Sequence, residues 1–139
     1  MGVENLSYLS FDAHDAEVTS IDLSRETAAC RLGLSYVDGK EGTVELLGVA
    51  AFRVEDFGLQ NVVSRILRSG SQDFSLDDLN HWLGWVTSLS DSPSWLNPEK
   101  RREWVAALSD GDLELVVLEP SAGAQIAAVC KRVRQSAKR

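Results

Sequence analysis

The sequence predicts an α+β fold, an antiparallel sheet of about four to five strands with a layer of about three helices inserted mid-chain. Three observations predict it. A strict period-two run lies early in the chain, an Asp-Gly turn follows it directly, and helical periodicity fills the stretch before a last pair of strand-like segments.

The first strand is expected between Ala16 and Leu23, with Thr19, Ile21 and Leu23 sharing one parity. Ser24-Arg25-Glu26 reads as a turn. Ala28, Cys30, Leu32, Leu34 and Tyr36 then alternate with Ala29, Arg31, Gly33 and Ser35, the pattern of a strand with one dry face. Asp38-Gly39 turns the chain, because both residues tolerate positive φ. Thr43 to Val54 is the returning strand. It carries apolar residues on both parities (Val44, Leu46, Ala50, Phe52 and Val54; Leu47, Val49 and Ala51), so a central place in the sheet is expected.

Leu59, Val62, Val63, Ile66 and Leu67 recur at helical spacing, with Gly70 as a stop, and predict a first helix. Ser75-Leu76-Asp77-Asp78 resembles a capping box. Leu76, Leu79, Leu83 and Val86 continue it as one stripe, ending near Leu89. Asp91-Ser92-Pro93-Ser94 is a loop. Asn97 caps a third helix with Pro98 at its first position, and Asp110-Gly111 closes it. Leu113 to Glu119 is a strand, and Pro120 to Gly123 a turn. Residues 124–133 fit either a helix (Ile126, Val129, Cys130, Val133) or an edge strand (Ala124, Ile126, Ala128, Cys130); the short Gly-containing turn before them favours the strand.

The 139 residues suit a single domain spanning 1–139, with 131–139 read as a basic, solvated C-terminal tail. The net charge is −7, from 21 acidic and 14 basic residues. Setting aside Lys131, Arg132, Arg134, Lys138 and Arg139 leaves 9 basic residues against 21 acidic, a balance of −12. Such a field argues against nucleic acid and for a basic protein partner, whose capture long-range attraction would speed. The start of the chain has no secretory leader pattern, and nowhere is there an apolar run long enough for a membrane helix, so a cytoplasmic protein that does not engage membranes is expected. Cys30 and Cys130 have no motif spacing and read as small buried hydrophobes.

Catalytic signatures are thin. Two histidines and two cysteines cannot build a His-rich or Cys-rich metal site, and neither GxSxG nor a phosphate-binding glycine loop is present, so no catalytic, cofactor or metal residue is assigned. The densest titratable cluster is Asp12-Ala13-His14-Asp15. In a strand Asp12 and His14 would share a face and could cooperate, while Asp15 would point away; as a polar turn the cluster would only bond local backbone. Trp82, Trp85, Trp95 and Trp104 crowd one stretch. They could form an aromatic contact surface or knit the helices together.

Phe11-Asp12-Ala13-His14-Asp15-Ala16-Glu17-Val18, Gly48-Val49-Ala50-Ala51-Phe52 and Leu118-Glu119-Pro120-Ser121-Ala122-Gly123-Ala124 resemble segments of small bacterial proteins that open with a His-Asp pair and build an antiparallel sheet, many uncharacterised and some grouped with toxin-immunity proteins. The resemblance implies no catalytic residues, only Asp12, His14 and Asp15 as a shared feature. The Trp-rich middle departs from it. Together these readings lead to the expectation of a non-enzymatic, immunity-like protein-binding module, contacting its partner through Asp12, His14, Asp15, Trp82, Trp85 and Trp95. The alternative is a small enzyme or ligand-binding protein using Asp12, His14 and the tryptophans.

Overall fold

The computed structural model describes residues 13–90 and 92–138. Its elements are β1 (Glu17–Ser24), β2 (Ala29–Ser35), β3 (Glu41–Leu47), β4 (Ala51–Glu55), β5 (Val62–Arg68), α1 (Leu76–Val86), α2 (Pro98–Asp110), β6 (Glu114–Ala122), β7 (Gln125–Cys130) and β8 (Arg132–Lys138). A single turn of 3₁₀ helix, Ser69–Ser71, follows β5. All strand pairs are antiparallel, in the order β4-β7-β6-β5-β1-β2-β3-β8.

That order hides a closure. β3 runs on into β4, and β7 into β8, across short bends, and the two long strands pair along their whole length, from Glu41↔Lys138 to Glu55↔Gln125. The bends are stitched as Lys131 N donates to the Leu47 carbonyl at 2.9 Å and Ala50 N to the Val129 carbonyl at 2.8 Å. On the opposite side, β1 meets β5 through Glu17↔Val62 and through Val18 N to the Asn61 carbonyl at 2.8 Å. The sheet therefore curls into a short barrel, which leaves open only the outer edges of β4 and β8 among the described strands.

Side-chain alternation then sorts the apolar residues into two cores. Val116 and Leu118 of β6, with Ile126, Ala128 and Cys130 of β7, point into the barrel, where they meet Val18, Cys30, Leu32, Leu34, Val44 and Leu46. The opposite parity, Leu115, Val117, Ala127 and Val129, points outward. It is covered by Trp82, Leu83 and Val86 of α1 and Leu108 of α2. Each buried Leu or Val contributes about 1.5–3 kcal/mol, so both faces of β6 and β7 hold the fold together.

The eight-stranded sheet with two α-helices corrects the expected four to five strands and three helices. The stretch read as a first helix, Leu59 to Leu67, is mostly β5. Register shifts at Val62/Val63 and Val63/Arg65 insert extra residues, so Val63 and Ile66, three apart, both face the barrel interior and imitate helical spacing. Thr43 to Val54 is two strands, not one central strand. Gly48, at φ +67°, bends the chain where a Cβ would lie 2.8 Å from Lys131 Cγ, and β4 then becomes a sheet terminus. The basic tail is not a solvated appendage: its residues form edge strand β8, in which Gln135 is buried and Arg134 contacts Glu45 at 3.0 Å. In β1 a bulge between Val18 and Ser20 turns Val18 and Ile21 inward, and Leu23 lies exposed. Strand β6 runs on through Pro120, which sits at the bulged register opposite Val63, so the turn expected from Pro120 shrinks to Gly123-Ala124.

Candidate functional site

The tryptophans take four different roles. Trp82 is packed in the outer core, and Trp85 meets it edge to face at 5.6 Å between ring centroids. Arg53 of β4 stacks on Trp85 at 4.3 Å and donates to the carbonyls of Trp85 at 2.8 Å and Ser90 at 3.2 Å. Its remaining charge is met by Glu55. This nearly buried guanidinium ties the C-terminal end of α1 and the loop after it to the sheet, with about 1 kcal/mol or more from the stacking alone. Trp95 differs: it is 55% exposed, and Leu89 in the same α1–α2 loop is 72% exposed. The Trp95 amide donates to the Thr87 carbonyl at 2.9 Å and its ring meets Trp104 edge-on at 6.0 Å, so its exposure is fixed by structure.

His14 and Asp15 lie elsewhere. His14 donates through Nδ1 to the Ser64 carbonyl at 2.9 Å, and its Nε2 is 3.5 Å from the Asp15 carboxylate, both side chains being largely exposed. Asp15 occupies a left-handed turn at φ +65°. Ala13 packs with the barrel interior, while Trp82, Trp85 and Trp104 pack on the outer core. Asp12 and Asp91 lie outside the described residues, as does the start of the chain.

The sequence reading missed Phe57 and Leu59. These residues occupy the β4–β5 loop, Phe57 being 47% exposed and Leu59 as open as in an extended chain, at 108%. Leu59 was absorbed there into a helical stripe. The signal against that assignment is the turn chemistry around it, Asp56, Gly58 and Asn61.

Shallow clefts flank the helices. One, of about 410 Å³, lies among Arg53, Glu55, His81 and Trp85. His81 stands against the edge of Trp82 at 5.1 Å. Among the described residues no group of three His, Cys, Asp or Glu side chains is placed to hold a metal. Both cysteines are free and buried. Burial pushes the Cys30 thiol up to about 11, with help from the Asp22 charge, and Cys130 to about 12, with help from Glu114. Both are thus protonated and unreactive at neutral pH.

The fold and these surfaces define a closed antiparallel sheet with a helical hairpin on one outer face and apolar side chains held exposed at two separate loops. No protein-family profile and no curated protein matches the chain. Among solved structures it is similar to an uncharacterised protein from Neisseria gonorrhoeae, with 10% identity over 88% of this chain and 91% of that one, at a TM-score of 0.42. No helix among the described residues is long and apolar enough to cross a membrane.

Proposed function

We propose that the protein is a non-enzymatic cytoplasmic binding module of the immunity-protein kind, whose partner is a basic protein. The observation that carries the reading is Trp95, held half open by Trp104 and the Thr87 carbonyl in a loop that also exposes Leu89. A rigid, exposed aromatic gives large contact area at small entropic cost, as in interface hot spots. The charge of −7 supplies attraction for a basic partner, and the two protonated, unpaired thiols suit a reducing compartment.

Affinity capture with the tagged protein from its host tests the reading. The expected result is retention of a basic protein at low ionic strength, its release on adding salt, and loss of retention with Trp95→Ala. Retention of no protein at low salt, or undiminished retention by Trp95→Ala, would overturn it.

A further inference from the structure

We infer that the β4–β5 loop is a preformed apolar finger with an acidic collar, in which Phe57 and Leu59 enter an apolar surface rimmed by lysine or arginine on the basic protein partner; this rests on the reading above.

The loop is built to hold its shape. Asn61 is buried at its base, where its Nδ2 donates to the carbonyls of Gly58 at 2.8 Å and Val18 at 3.3 Å. Its Oδ1 accepts from the amides of Gly58 at 2.9 Å and Ala124 at 3.1 Å. One side chain thus satisfies four backbone groups from three segments. Gly123, at φ +80°, lets the β6–β7 turn press against the same base, since a Cβ there would lie 2.2 Å from the Gln60 carbonyl. Fixing a loop in this way would ordinarily serve to bury its tip. Here the tip is Phe57 and Leu59, both in solvent. Apolar side chains on a preorganised backbone lose little freedom on association, the condition for a binding hot spot.

Charge selects the partner. Backbone bonds and the Asn61 side chain place three segments together at this end of the barrel: Ala13–Glu17, Glu55–Asn61 and Pro120–Gln125. They carry four carboxylates, of which Glu55 is paired with Arg53 and Asp15 lies 3.5 Å from His14, and the segments hold no lysine or arginine, so Asp15, Glu17 and Asp56 give this surface its negative charge. A basic rim around an apolar pocket complements this arrangement, whereas anionic lipid, nucleic acid or an acidic protein would be repelled.

The probe is a short amphipathic Leu/Lys peptide, which presents an apolar stripe edged with ammonium groups; its Leu/Glu counterpart is the control. Amide shifts are followed by NMR on the full chain. The Leu/Lys peptide is expected to shift Gly58, Leu59 and Gln60, with binding that weakens as salt rises and that falls about tenfold or more in Leu59→Ser. The Leu/Glu peptide should shift none of them. Because Leu59 touches no core residue, that variant should keep its remaining amide shifts, so loss of binding reports the contact and not unfolding. Shifts confined to the Leu89–Trp95 loop, or none at all, overturn this inference. Leu59-dependent binding of phosphatidylcholine vesicles in place of the peptide also overturns it and reassigns the finger to lipid. If Trp95→Ala still captures the partner while the peptide maps to Leu59, the Trp95 reading fails and the finger stands.

Discussion

Asn61 and Gly123 show how two residues can fix a whole end of the barrel. Gly123→Ala would force a left-handed residue to carry a Cβ into the Gln60 carbonyl and the Asn61 side chain. The expected loss is about 2 kcal/mol or more in chemical denaturation, because neither backbone segment can yield without breaking the Asn61 bonds. The buried thiols act through linkage. Each ionises near 9.0 once unfolded but only at about 11 (Cys30) or about 12 (Cys130) when folded. Above pH 9 the folded chain therefore binds more protons than the unfolded one, and stability falls as pH rises through the interval, with a slope up to about 1.4 kcal/mol per pH unit for each thiol. Denaturation curves at pH 8 to 11 should show this decline, and the double variant Cys30→Ala, Cys130→Ala should flatten it. A thiol-specific reagent should label neither cysteine until the chain unfolds.

At the scale of elements, legibility depended on whether the determinant was local. The capping box of α1 was written in Ser75 and Asp78, whose reciprocal side-chain and backbone bonds are both present. Asn97 and Pro98 likewise start α2, and Gly111 ends it at φ +84°. Ser75→Ala should lower stability by about 1 kcal/mol and fray the first turn of α1, measurable by thermal melting. β5 was not legible because its bulges reproduce a helical spacing in a strand, and bulges form only against a partner. That partner is β6, which pairs Glu119 with Arg65 and Glu114 with Arg68, at 2.6 Å in both cases. The Arg68–Glu114 pair is mostly buried, and Glu114 holds the guanidinium pKa above its ordinary value. Arg68→Ala would leave the mostly buried Glu114 without its ion pair, at a loss of about 2–3 kcal/mol by denaturant titration. The candidate contacts divided in the same way: Trp95 could be nominated from composition, whereas Leu59 became visible only once its loop was placed.

Over the whole molecule, closure of the sheet is the organising fact, and β8 tests it. Deleting residues 132–139 would strip β3 of its outer neighbour and remove half-buried Val133, which packs against the barrel core. A solvated tail could be removed with no change in melting temperature, so a marked drop is the expected outcome and the discriminating one. The arginines of β8 also limit its open edge. Arg132 and Arg134 are exposed, and charged side chains on an edge strand discourage pairing with another sheet.

The sequence by itself determined what short-range chemistry determines. It specified the β2–β3 hairpin through alternation and Asp38-Gly39, both helices through their caps, the burial of two cysteines and the excess of acid. Only the tertiary structure decided that one apparent strand is two, that a helical spacing is a bulged strand and that a charged tail is an edge strand. It also brought Phe57 and Leu59 to a rigid tip. Each of these depends on hydrogen bonds between residues far apart in the chain, and a backbone that must satisfy its donors and acceptors takes the long-range partner when closure offers one.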